Sequence, residues 1–209
     1  IRQAVQQGRL DATIKVNASP VASSQFMVFN WNKASDPFKQ SLFRSDKFRR
    51  AMSHLVNRQA VIDIVYGGLG TPMYSSVYPV LTQWINPKVP KYEYDPKQAA
   101  KLLAELGFTK KDREGYLVDS KGRRIEFNLA TNAGNTQREQ IAKLIVDEAK
   151  KVGVKVNFQA IDFNTLVGQL LSSGPDRPFD AIIIGLTGGG LDWPFGSNVV
   201  PCKGNLHMW

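Results

Sequence analysis

The chain has 209 residues, 43% of them hydrophobic, and carries 27 Lys and Arg against 18 Asp and Glu for a net charge of +9. That apolar share supports one sizeable core, in a single domain or one lobe of something longer. The single cysteine, Cys202, rules out an internal disulfide and a cysteine-based zinc cluster, and no apolar run approaches the roughly twenty residues of a membrane span.

The positive balance invites a nucleic-acid partner, but its distribution argues against one. Basic residues are interspersed with acids, as where Asp147-Glu148 precedes Lys150-Lys151, and no basic stripe interleaved with aromatics runs along the chain. The chain begins at Ile1 and ends at Met208-Trp209 without a tail, so a piece of a longer protein is expected.

In chain order, Ile1–Gln7 reads as a helix, and Ala12–Val16 and Phe26–Asn30 read as strands. Ser45 or Asp46 caps a helix whose inward positions are Phe48, Ala51, Met52, Leu55 and Val56. Ala60, Val61, Ile64 and Val65 make a second helical set, stopped at Gly67-Gly68. Thr71–Pro90 holds several prolines and no periodicity, which predicts an ordered coil draped over the body. Asp95-Pro96 is a capping acid followed by a proline at the first helical position, and Ala99, Leu102, Leu103 and Leu106 then form a stripe ending at Gly107.

The second half alternates element types. Ile125–Leu129 is a strand, and a helix from Asn135 or Thr136 buries Ile141, Leu144, Ile145, Ala149 and Val152 before Gly153. Val154, Val156 and Phe158 alternate as a strand, Asp162 caps a helix through Leu171, and Ala181–Ile184 is a strand buried on both faces. Strand and helix in alternation predict an α/β fold: a mixed, mostly parallel sheet flanked by helices, formed by residues 1–209 as a single lobe.

Catalytic constellations are scarce. His54 and His207 are far apart, Cys202 has no residue placed to orient a nearby histidine, and neither a paired-histidine motif nor an acidic Asp-x-Asp loop offers metal ligands. No metal or cofactor is expected, and an enzyme would have to draw its base from the remote His54. The stretch IIIGLTGGGLDWPFG, Ile182–Gly196, lacks the Gly-Lys-Ser/Thr of a phosphate cradle. It instead runs a strand end into glycines and presents Asp192 and Trp193, where an open α/β sheet binds ligands.

Several blocks resemble the extracytoplasmic solute-binding proteins of family five, the receptors of ABC importers for oligopeptides, dipeptides, nickel and some sugars. They are Phe29-Asn30, Pro37-Phe38, Phe48-Arg49-Arg50-Ala51-Met52, Val56-Asn57-Arg58 with Val61-Ile62, Tyr94-Asp95-Pro96 with its leucines, and Val152–Val156, with Gly8 and Asp11 ahead of them. The resemblance implies the C-terminal lobe of a type II periplasmic-binding fold, cut from a longer two-lobed receptor. It also implies a monomer outside the cytoplasmic membrane, periplasmic or lipid-anchored at the cell surface, that hands peptides to ABC permease subunits.

On this resemblance the ligand strand of peptide receptors reads Gly-Trp-x-x-Asp. Gly185 fits the glycine, Leu186 stands at the tryptophan, and Gly189 stands at the acid that pairs with a ligand ammonium. Ligand contacts are therefore expected from Gly185, Leu186, Thr187, Gly188, Gly189, Asp192 and Trp193, with Asn132 and Gln137 beside them and Asn30, Trp31 and Asn32 as a third wall. Either Asp192 supplies the missing charge or the cargo brings no amine there, which leaves an oligosaccharide as the alternative to a peptide. A hydrolase or transferase on a two-lobed fold is the alternative from another class.

Overall fold

The structure, a computed structural model, describes residues 1–15, 23–172, 176–187, 199, 201–204 and 207. Its first half holds α1 (Arg2–Gln6), β1 (Ser23–Phe29), α2 (Pro37–Arg44), α3 (Asp46–His54), α4 (Arg58–Val65) and α5 (Pro96–Glu105). Between α4 and α5 lies a coil with one 3-10 turn at Thr82–Trp84. A short hairpin of β2 (Lys110–Lys111) and β3 (Leu117–Val118) leads to β4 (Glu126–Asn132), α6 (Thr136–Val152), β5 (Lys155–Ile161), α7 (Phe163–Leu171) and β6 (Ala181–Thr187).

The predicted alternation of the second half is present as β4–α6–β5–α7–β6, and it builds a four-stranded sheet in the order β1-β6-β4-β5. β4 runs parallel to both β5 and β6, while β1 closes the other side of β6 antiparallel, with Ser23 opposite Thr187 and Phe29 opposite Ala181. The chain is therefore α/β with a mixed sheet, two of its pairings parallel.

Side-chain caps fix where the helices start. Asp36, Ser45, Asn57, Asp95, Asn135 and Asp162 each accept the backbone N–H three residues on, which satisfies a donor that the helix itself leaves orphaned. Gly153 ends α6 in the left-handed conformation, φ 91°, which a residue with a Cβ adopts only at a cost.

The pleat then sorts side chains to two faces. Phe29, Phe127, Leu129, Ala181 and Ile183 point to the side covered by α2–α6, where Phe29, Phe43, Phe48 and Phe127 pack ring to ring at 5.2–6.2 Å. Val28, Ala130, Ile182 and Ile184 point to the smaller cluster under α7, with Leu166 and Leu170. This is why Ala181–Ile184 is apolar at every position: both of its faces are covered.

Two expectations change. Of the expected strand Ala12–Val16, residues 12–15 have no regular structure, are exposed and pair with no strand among the described residues, and Val16 lies outside those. The helix α2 was not expected, although Asp36-Pro37 carries the same capping-acid and proline start that announces α5 at Asp95-Pro96.

Candidate functional site

Parallel strands put their carboxyl ends at one edge of the sheet. Asn132, Ile161 and Thr187 end β4, β5 and β6 there, the first turns of α6 and α7 lie beside them, and the antiparallel β1 brings its own beginning, Ser23–Gln25, to the same edge. β4 and β6 part company before this edge. Their pairing stops at Ala130 opposite Ile182, and the Thr131 hydroxyl bonds the Ile183 carbonyl at 2.9 Å in place of the ladder.

Arg138 organises this edge. With Asn135 as the cap, Arg138 is the third residue of α6, so its side chain leans back over the turn that precedes the helix. Its Nη1 donates to Asn132 Oδ1 at 2.7 Å and its Nε to Gln25 Oε1 at 2.9 Å. Gly185 makes room for both partners: a Cβ there would fall 2.5 Å from Gln25 Nε2 and 2.8 Å from Arg138 Nη2.

Among the described residues the guanidinium meets amide oxygens and no carboxylate. Burial pulls its pKa down, an effect that Tyr66 opposes, yet an arginine stays cationic across the physiological range. Tyr66 itself places a buried hydroxyl that has no hydrogen-bond partner among the described residues, and burial pushes its pKa up against the influence of Arg138. From the coil, Tyr78 is 7% exposed and its hydroxyl donates to the Leu186 carbonyl at 3.3 Å.

The expected site residues fall into three groups. Asn132, Gly185, Leu186 and Thr187 meet at the carboxyl edge, and Gln137 stands exposed on the first turn of α6 next to them. Gly188, Gly189, Asp192 and Trp193 lie outside the described residues. Asn30, Trp31 and Asn32 follow the end of β1, and because β1 runs against β6 they sit at the opposite edge of the sheet.

Their bonds there hold a corner together. The Asn30 amide donates to the Arg177 and Phe179 carbonyls, both at 2.9 Å, and its oxygen accepts the Asn32 N–H at 3.0 Å. Arg44 donates to the Trp31 carbonyl and to Asn32 Oδ1, and the Arg49 guanidinium lies 4.2 Å from the Trp31 ring centre. Next to this corner is a shallow hollow of about 80 Å³, lined in part by Lys33, Asn128, Gln159, Gln169 and Asp180. Buried Asp180 is held by Lys39 at 2.7 Å and by the Asn128 N–H at 3.0 Å.

Sequence reasoning missed Arg138, Gln25, Tyr66 and Tyr78. Arg138 had a signal: once Asn135 is taken as the cap, position 138 is the one that reaches back to Asn132. The other three come to the edge from distant parts of the chain, and nothing local in the sequence marks them. Among the described residues no helix is long and apolar enough to cross a membrane, and no cluster of His, Cys, Asp and Glu gathers as metal ligands.

Residues 2–204 match the model of the bacterial extracellular solute-binding proteins, family 5, described as its middle part. A probable ABC transporter-binding protein of Deinococcus radiodurans is 52% identical over the whole chain, which covers 36% of that protein's length. The oligopeptide-binding protein AppA of Bacillus subtilis, solved with a nonapeptide, superposes with a TM-score of 0.69 at 28% identity, over 88% of this chain and 35% of its own. A lactococcal OppA in its closed, peptide-bound conformation shares the fold at a TM-score of 0.75 and 20% identity, over 99% of this chain and 42% of its own. The chain thus spans about a third of the relatives it matches, and it belongs to the bacterial extracellular solute-binding proteins of family 5.

Proposed function

We propose that this chain is one lobe of a longer receptor that captures peptides outside the cytoplasmic membrane and presents them to ABC permease subunits, without catalysing a reaction. The observation that carries the reading is the group of unspent polar atoms at the carboxyl edge. Among the described residues Arg138 has donors to spare after Gln25 and Asn132, Tyr66 keeps a buried hydroxyl without a partner, and Gly185 lets the tips of Gln25 and Arg138 lie directly over the strand. An unpartnered buried hydroxyl costs about 1–3 kcal/mol, which a carbonyl-rich ligand repays on binding. A peptide brings one carbonyl per residue and needs such donors in a row.

That a relative was solved with a nonapeptide supports the choice of cargo. Calorimetry of the full-length protein against random-sequence nonapeptides should give saturable binding, and Arg138→Met should weaken it roughly tenfold to a hundredfold, the range for hydrogen bonds from a charged donor. Heat from an oligosaccharide panel with none from peptides would replace the peptide reading by the sugar one.

A further inference from the structure

We propose that Arg58 is a positioning residue for this edge: it fixes the coil between α4 and α5 so that Tyr78 stands as a rigid wall on the Leu186 carbonyl. The inference rests on the reading of that edge as the binding site. The coil has no strand or long helix to hold it, only the turn at Thr82–Trp84. Its two ends are instead tied to a single guanidinium.

Arg58 Nε donates to the Met73 carbonyl at 3.0 Å and Nη1 to the Tyr92 carbonyl at 3.1 Å, so both ends of the coil are fastened to one group. The same guanidinium grips the α3–α4 junction: Nη1 reaches the Ser53 and Val56 carbonyls at 3.3 and 3.4 Å, and Nη2 reaches Ser53 Oγ at 2.9 Å. The Tyr74 ring lies 4.9 Å from its carbon. His54 adds a second tie, Nδ1 to the Glu93 carbonyl at 2.6 Å, with the Asp95 N–H returning to the His54 carbonyl at 2.9 Å.

Between the tied ends the coil inserts Tyr78 and Leu81, 7% and 0% exposed, and Tyr78 reaches the sheet edge. Among the described residues none of the bonds that Arg58 makes goes to a carboxylate; they go to carbonyls and a hydroxyl, so a single ion pair is not what the fold uses. What it supplies is a planar fork with donors aimed in several directions at once, which a lysine ammonium on its flexible stem does not reproduce. Arg58 touches no part of the edge itself and acts through the coil and Tyr78.

Two measurements on the full-length protein test this. In hydrogen–deuterium exchange, Arg58→Lys should speed exchange in residues 71–93 and 185–187 about tenfold while α6 and β5 keep their rates, the pattern of a local opening. Unchanged rates in 71–93, or an equal rise in α6, overturn the proposal. In nonapeptide titrations, Arg58→Lys and Tyr78→Phe should each weaken binding about threefold to tenfold, and the double variant should be no weaker than the weaker single one. Losses that multiply would mean that Arg58 does not act through Tyr78. A wild-type protein that binds no nonapeptide removes the peptide reading, and the exchange pattern then decides the positioning role by itself.

Discussion

Gly185 shows how much one missing side chain can decide. Its Cα carries nothing, so the far ends of Gln25 and Arg138 close over it. An alanine there displaces both, and because both are flexible tips rather than backbone, the fold should barely register the change. For Gly185→Ala we expect a melting temperature within about 2 °C of wild type and a nonapeptide affinity lowered roughly tenfold, as when a charged hydrogen-bond donor is misplaced. An unaltered affinity would show that Gln25 and Arg138 need not occupy this spot for binding. The glycine itself stood out in the sequence through the resemblance of residues 185–189 to the ligand strand of peptide receptors. The two side chains above it were not, since their meeting depends on β1 pairing with β6 and on the lean of the first turn of α6, and neither is written in the residues nearby.

Elements were easier to read than contacts, because they announce themselves locally. The Asp-Pro start and the leucine stripe of α5, and the alternation at Val154–Phe158, are periodic patterns that tertiary structure had only to accept. α2 shows the same start as α5 on a shorter segment, and residues 12–15 show that alternation alone makes no strand where none of the described strands pairs with it. The pairing of β4 with β5 carries a titratable lock. Glu126 accepts from Asn157 Nδ2 at 2.9 Å and faces Lys155 at 3.2 Å, and these partners, Asn157 foremost, hold its carboxyl below the ordinary value.

A carboxylate whose pKa falls on folding adds stability above its unfolded value, about 4.3, and that stability is lost as pH falls through the lower, folded value. The Glu126 side chain is 34% exposed, so solvent screening limits the effect to within about 1 kcal/mol. Glu126→Gln should therefore lower the urea midpoint at pH 7 by a small step and flatten its decline between about pH 5 and 3. A variant that declines with acid as steeply as wild type would show that Glu126 is not part of that decline.

At the scale of the whole molecule the sheet has two differently furnished edges. The seven residues of β1 hold them about 20 Å apart at the usual rise per residue. That length is why Asn30, Trp31 and Asn32 do not share a wall with Gly185. A sequence lists strand ends without saying which of them face the same way, and only the antiparallel sense of β1 settles it. At one edge Asn30 and Asp180 are engaged with their neighbours, although the buried Asp176 Oδ1 has no hydrogen-bond partner among the described residues, and at the other Arg138 keeps donors in reserve among them.

The pairing of β1 with β6 also sets a timetable. β4, α6 and β5 are consecutive in the chain and can assemble from near neighbours, whereas β1 and β6 come from opposite ends of the described chain and must close a loop around everything between them. The platform of Arg138 and Asn132 should accordingly be in place before Gln25 and Gly185 arrive, so the edge proposed to bind is the last part of the sheet to be born. Pulse-labelled hydrogen exchange during refolding checks this: amides of β4 and β5 should gain protection before those of β1 and β6, and simultaneous protection would refute the order. A chain still emerging from the ribosome would then have a core before it had the edge proposed to hold a cargo.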